Sequence, residues 1–293
     1  MLLQEELDIL KNLVDRELER YIPKNVYPEV IYDAMRYSLF AGGKRLRPIL
    51  MLLSNRLIGD NQEQVMPLAC AMEMIHTYSL IHDDLPAMDN DDYRRGVLTN
   101  HKVFGEAIAI LAGDALLTHA FIIMIEHAIS SSYKERLLRA IYEIALASGT
   151  KGMIGGQVID IYDNKDINQE KLYLMHKCKT GALITAAVRA GAIVGGASDY
   201  ELGLLTRFSE GLGIAYQIRD DILDEIGDEK KLGKKVGRDS KNKKNTFVTL
   251  YGIKDSQRLL EEYSLKAISY LEPFGERAKT LIDLTKSLML REK

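Results

Sequence analysis

The chain has 293 residues, 46% hydrophobic and 28% charged, with no tryptophan and a formal net charge of −3. That balance excludes a global field for recruiting nucleic acid or an anionic membrane, and the length allows one or two domains with a large core. The opening MLLQEELDIL carries acids and no basic stretch, which is not the pattern of a secretory signal.

Apolar residues recur at i, i+3, i+4 and i+7 from residue 28 onward, beginning with PEVIYDAMRYSLFAGG. At residues 42–48, GGKRLRP crowds Lys44, Arg45 and Arg47 behind two glycines. Residues 64–84, QVMPLACAMEMIHTYSLIHDD, are apolar nearly all round, which predicts a helix buried at the centre of a bundle. Pro86 disfavours helical backbone at Leu85, so this helix is expected to stop beside Asp83 and Asp84, with Asp89 arriving from a loop. Arg94 and Arg95 follow at once. The most apolar region, 107–125, is interrupted by Asp114 and His119, short of the roughly 18-residue run expected of a membrane span. Helical patterns continue through KERLLRAIYEIALASG (134–149) and HKCKTGALITAAVRAGAI (176–193), where Lys179 and Thr180 break an apolar face. A further one, 200–226, ends YQIRDDILDEI, with Asp220 and Asp224 one turn apart. No strand alternation or linker is evident, so the prediction is one all-α domain over 1–293 with loops near 23–28, 59–64, 86–100, 130–134 and 227–244. Cys70 and Cys178 lack metal-ligand spacing and are expected to be buried free thiols in a reducing cytoplasm.

A solvated acidic surface would explain either aspartate cluster alone, because acids at a helix C-terminus oppose the macrodipole by only about 0.3–1 kcal/mol each. Two clusters, each attached to a strongly apolar helix, favour a divalent cation. Mg²⁺ takes oxygen ligands, keeps several waters, and is held by one or two carboxylates plus substrate phosphates. Neither cluster follows the calcium-loop pattern of an EF-hand. The cationic groups at 44–47, 94–95 and 179 and the lysines of DEKKLGKKVGRDSKNKKNTF (228–247) then suit an anionic ligand, although the 228–244 stretch reads equally as a solvated loop. His76 alone is more often a satisfied core histidine. No GxxxxGK[ST], GxSxG or HExxH occurs. Carboxylates, cations and an apolar interior together fit a substrate with a diphosphate head and a hydrocarbon tail.

GGKRLRP, EMIHTYSLIHDDLPAMDNDDYRRG, GGQVID, HKCKTGAL and YQIRDDILDEIGDEKKLGK, in this order across almost the whole chain, resemble the trans-prenyl diphosphate synthases, most closely the bacterial type of farnesyl diphosphate synthase. The resemblance implies an all-α isoprenoid-synthase bundle of roughly ten or more helices around a cavity, usually homodimeric. It implies Mg²⁺ held by Asp83, Asp84 and Asp89 of the first motif and by Asp220 and Asp221 of the second. Arg94, Lys179 and Lys234 would contact the allylic diphosphate, and Lys44, Arg47, His76 and Arg95 the isopentenyl diphosphate. Thr180 and Gln217, with Lys179, match positions near the reacting carbons. Tyr78, five residues and about 7.5 Å before Asp83 along the helix, and the small Ser79 match the positions that limit product length; ordinary core packing is the other reading of Tyr78. The implied reaction condenses isopentenyl diphosphate with dimethylallyl and then geranyl diphosphate to give farnesyl diphosphate in the cytoplasm, with no nucleic acid or integral membrane association. Geranylgeranyl or geranyl diphosphate synthase is the nearest alternative. A class I terpene cyclase would carry a different second motif and no GGKRLRP, and a catalytically silent partner subunit usually loses aspartates that this chain keeps. Tyr93 and Leu98 depart from the family's leucine and proline, and SLMLREK matches its C-terminus only loosely.

Overall fold

Helical periodicity is realised throughout the computed structural model, which describes residues 2–162, 168–226 and 245–291. Helices α1 (Leu3–Tyr21), α2 (Glu29–Leu39), α3 (Leu46–Ile58) and α4 (Gln62–Asp83) lead into a short antiparallel ribbon, β1 (Tyr93–Arg94) against β2 (Val97–Leu98). Then come α5 (Asn100–Phe104), α6 (Glu106–Ser130), α7 (Lys134–Ser148), α8 (Met153–Tyr162) and α9 (Gln169–His176). A π-helical turn, Lys177–Gly181, runs into α10 (Ala182–Gly195). Helix α11 (Asp199–Ile226), α12 (Phe247–Ser269), a 3-10 turn at Glu272–Ala278 and α13 (Lys279–Leu290) complete the described chain. The all-α expectation holds, with one local exception. Inside the expected loop 86–100, Tyr93 pairs with Leu98 and Arg94 with Val97 across a two-residue turn whose residues, Arg95 (φ 54°) and Gly96 (φ 80°), both have positive φ. Such a turn matches the twist of a hairpin, and strands of two residues are too short to betray themselves by alternation. The expected loop at 227–244 lies outside the described residues.

Helix α4, which read as apolar nearly all round, and α10, from the apolar stretch after Lys179 and Thr180, are deeply enclosed. Along α4 nearly every side chain from Val65 to Ile81 is buried, and the helix packs on α3 and α6. Helix α10 is buried along most of its length between α3, α7 and α11. Each fully buried leucine or isoleucine there contributes about 1.5–3 kcal/mol, which fixes the ends of these helices and the polar residues on them. A smaller apolar cluster, including Leu172, Ile218, Ile222 and Phe247, joins α9, α11 and α12 behind the second aspartate pair. Helix α6 is different: it runs unbroken through Asp114 and His119 and leaves Ile110, Leu111, Ile122, Ile125 and Ile129 exposed. By length and composition α6 and the helical stretch Gln169–Gly195 could each cross a membrane, contrary to the sequence reading, and 39% and 61% of their most apolar windows are buried in the bundle. Cys70 is buried, whereas Cys178 is only partly so.

The loop before α3 is tied down by an ion pair. Arg45, in the left-handed region at φ 52°, sends its guanidinium inward to Glu73 (2.9 Å), Asp15 (2.7 Å) and the Leu39 carbonyl (2.7 Å). The Arg45 and Glu73 side chains are each 2% exposed, so this middle cation of GGKRLRP serves the fold and is withdrawn from any surface anion site. Removing one partner of a buried pair strands the other charge, at a cost of about 3–5 kcal/mol. Glu73→Ala is therefore expected to lower unfolding stability by roughly 3 kcal/mol in a guanidinium titration. A loss below about 1 kcal/mol would show that Asp15 alone neutralises Arg45.

Candidate active site

Helix α4 ends where Pro86 requires it to, and the chain then folds back over the helix end. Asp83 is its last residue; the Asp89 amide donates to the Asp83 carbonyl (2.9 Å) and the Asp91 amide to that of Asp84 (3.1 Å). These bonds satisfy carbonyls that every helix C-terminus leaves without an intrahelical partner. They also bring the backbone of Asp89 and Asp91 back beside the helix end. Asp84 is buried and grips Arg94, whose Nε reaches both carboxylate oxygens (2.7 and 2.9 Å) while Nη2 lies 2.7 Å from Oδ1. Burial pushes the Asp84 carboxyl above its usual range, and the Arg94 donors oppose that shift. Asp83 instead accepts from the Gln157 amide of α8.

Beside Asp83 lies a cavity of about 550 Å³, within the usual size range for small-molecule sites. Arg47, His76, Asp83, Lys179 and Thr180 supply polar lining; Tyr78, Leu80, Leu117, Val158 and Ile161 supply apolar lining, with Ser79 and Gln157 among them. Arg47 is on the first turn of α3, and its Nε is buried with no hydrogen-bond partner among the described residues. Burial pulls the Arg47 guanidinium below its ordinary pKa, against the opposing fields of Tyr216, Glu73 and Asp220. Asp220 thus acts electrostatically on a residue that lines the same cavity as Asp83. Burial, then the neighbouring Arg47 and Arg95, hold His76 well below the usual 6.5, so it is neutral at physiological pH. Tyr78 is buried, its hydroxyl pushed up to about 12 by burial, and its ring meets His82 edge-on at 5.7 Å.

The π-helical turn carries Lys179 and Thr180 to the cavity wall; such turns recur at functional sites because they re-aim side chains within a helix. Lys179 Nζ is 2.6 Å from Asp160 of α8. Helix α8 can come this close because Gly156 abuts the Lys179 backbone, where a Cβ would collide. Thr180 donates to the Gln217 carbonyl oxygen (3.0 Å), and the Gln217 amide donates to Asp221 (2.8 Å). Asp220 accepts from Arg291 (2.6 Å), whose guanidinium sits 3.8 Å over the Tyr216 ring. Lys44 is exposed on the loop before α3. Arg95 donates to the Gly42 carbonyl, and at Gly43 (φ 125°) a Cβ would stand 2.7 Å from the Arg95 guanidinium, so the glycine lets the two loops meet. Lys234 lies outside the described residues.

Four of the expected metal ligands accept from protein donors: Asp83 from Gln157, Asp84 from Arg94, Asp220 from Arg291, and Asp221 from both Gln217 and the Phe247 amide. Among the described residues no group of three or more His, Cys, Asp or Glu side chains is gathered to hold a metal by itself. Asp83, Asp89 and Asp220 offer carboxylate oxygens only, the donor type that Mg²⁺ takes together with phosphate oxygens and water. Reading motifs alone missed Gln157, Asp160 and Arg291 as site residues. GGQVID held the available signal, because its glutamine and aspartate stand three residues apart on one helical face.

The site and the bundle are those of a prenyltransferase. The polyprenyl synthetase family model matches residues 28–270, and the chain belongs to that family. It is 49% identical over 280 residues to a dimethylallyltranstransferase of Fischerella ambigua, covering 95% of this chain and 80% of that one. It is 45% identical to a farnesyl diphosphate synthase of Bacillus subtilis, covering 88% and 87% of the two chains. The crystal structure of a geranylgeranyl pyrophosphate synthetase from Pyrococcus horikoshii superposes with a TM-score of 0.87 at 32% identity, covering 99% and 98%. The protein is a trans-prenyl diphosphate synthase.

The His76 environment has a measurable consequence. The unfolded chain protonates this histidine near 6.5 and the folded chain only at lower pH, so stability falls as pH drops from about 6.5 toward the folded value. The His76 ring carbon resonance is expected to titrate well below 6.5 in the free protein. A midpoint at or above 6.5 would contradict the buried cationic surroundings.

Proposed function

We propose that the protein is a Mg²⁺-dependent farnesyl diphosphate synthase, which condenses isopentenyl diphosphate with dimethylallyl diphosphate and then with geranyl diphosphate. One observation carries this reading: Arg47, His76, Lys179 and Asp83 line the same cavity of about 550 Å³ that Tyr78 lines from α4. Arg94 and Lys179 bind the allylic diphosphate, and Lys234, outside the described residues, is assigned to the same group. Arg47, His76, Arg95 and Lys44 bind isopentenyl diphosphate, whose anion suits an arginine with a buried, unpartnered Nε. Mg²⁺, held by Asp83, Asp89 and Asp220, supplies positive charge to the departing diphosphate.

In this reading the fixed cations oppose the charge that develops as the allylic carbon–oxygen bond breaks, without having to reorganise at that moment. Thr180 and Gln217 turn their oxygens toward the allylic cation. Tyr78, Leu117 and Met153 keep water from it, and the double bond of isopentenyl diphosphate supplies the electrons for the new carbon–carbon bond. The departed diphosphate takes the proton, so no side-chain base is assigned. Tyr78 ends the space available to the growing chain. The exposed apolar face of α6 is assigned to a second copy of the chain, giving a homodimer in the cytoplasm.

Incubating the pure protein with isopentenyl and dimethylallyl diphosphates and Mg²⁺ is expected to give a fifteen-carbon product; a twenty-carbon product would favour geranylgeranyl diphosphate synthase. Asp83→Ala should lower turnover by at least about a hundredfold with unchanged helical circular dichroism, and near-normal turnover would remove the metal assignment. Tyr78→Ala should lengthen the product, and an unchanged product profile would return Tyr78 to ordinary packing.

A further inference from the structure

We infer that Asp221 is a positioning residue that sets the orientation of the Gln217 amide, and through it Thr180, and is not a ligand of the metal. This deepens the synthase reading above and rests on it for the kinetic part of its test. Asp221 is 4% exposed, and its two oxygens serve different elements. Oδ1 accepts from Gln217 Nε2 at 2.8 Å, one turn earlier on α11. Oδ2 accepts from the Phe247 backbone amide at 2.8 Å, the first residue of α12. That amide is one of the donors a helix N-terminus leaves unpaired, and a carboxylate also complements the positive end of the helix dipole.

The chemistry of the contact forces the amide's orientation. A carboxylate oxygen accepts and cannot donate, so Gln217 must turn its NH₂ toward Asp221 and its carbonyl oxygen toward Thr180. Thr180 donates to that oxygen at 3.0 Å and lines the cavity. With its hydrogen given to Gln217, the Thr180 hydroxyl is left as an acceptor at the cavity it lines. His176, whose ring stacks on Phe247 at 5.3 Å and whose Nε2 is 4.0 Å from Asp221, closes the other side of the carboxylate.

Asp221→Asn keeps the volume but replaces one acceptor with a donor. It must either confront the Phe247 N–H or turn the Gln217 amide round, presenting NH₂ to Thr180. The expected result is a fall in kcat of about tenfold to a hundredfold, with the KM of both diphosphates and the half-saturating Mg²⁺ concentration unchanged. Hydrogen exchange at the Phe247 amide should also accelerate in the metal-free protein whichever way the amides turn, because a neutral amide oxygen accepts more weakly than a carboxylate, and this readout is independent of turnover. Adding Gln217→Ala to Asp221→Asn should cost little more, because the two act as one unit. A raised Mg²⁺ requirement with kcat restored at saturating Mg²⁺ would overturn the assignment and make Asp221 a ligand. Unchanged exchange at Phe247 would overturn it as well. If Asp221→Asn does not fold, Gln217→Met, which leaves the Phe247 contact intact, should show the same kcat loss at normal Mg²⁺ dependence, and full kcat in that variant would refute the proposal. Wild-type protein that fails to condense the two diphosphates would refute the synthase reading, while the exchange measurement would still judge Asp221.

Discussion

Negative charge collected at the C-terminal end of a buried helix is the constraint on which the rest of this structure depends. The α4 macrodipole disfavours carboxylates at Asp83 and Asp84, and neighbouring carboxylates repel each other besides. The fold compensates with cations brought from elsewhere: Arg94 from the ribbon on Asp84, and Lys179 from the π turn near the same cavity. Arg47 from α3 carries a positive charge into that cavity under the field of Asp220. A diphosphate and its metal would complete the balance, the anion facing the cations and the metal facing the carboxylates.

Helix α8 and the π turn hold this arrangement through paired side chains. Gln157 and Asp160, on one face of α8, hold Asp83 and Lys179 respectively, so an acid and a cation that line one cavity are positioned by a single element. On the far side, the Thr180–Gln217–Asp221–Phe247 series links the π turn to α11 and to the start of α12. Both supports are groups on helices, which hold reacting geometry more tightly than loops would.

The fold and the centre of the site were largely legible in the residues, for physical reasons that differ from place to place. The all-round apolar character of 64–84 announced a buried helix, the apolar pattern of 176–193 announced a helix, and Pro86 announced where α4 would stop. Aspartate pairs at the ends of such helices pointed to the chemistry. What stayed hidden was direction. Nothing in GGKRLRP indicated that Arg45 would take a left-handed backbone and turn inward to Glu73 while Arg47 faced the cavity. The same limit applies to Asp84 and Asp221, chemically indistinguishable in sequence from Asp83 and Asp220 but turned toward Arg94 and the Phe247 amide. Arg291 reaches Asp220 from a C-terminal segment whose sequence is too plain to signal contact 71 residues away. The apolar face of α6 was visible in sequence, but its exposure in the single chain was not.

In the proposed mechanism the carboxylates hold a divalent metal only together with a diphosphate, since among the described residues no group of three or more metal-binding side chains is gathered. Binding of paramagnetic Mn²⁺ to the wild-type protein, followed by electron paramagnetic resonance with and without a non-hydrolysable thiolo analogue of dimethylallyl diphosphate, addresses this directly. Weak binding of Mn²⁺ alone that tightens by at least about tenfold with the analogue is the predicted result. Equally tight binding without the analogue, or no change when it is added, would contradict the account.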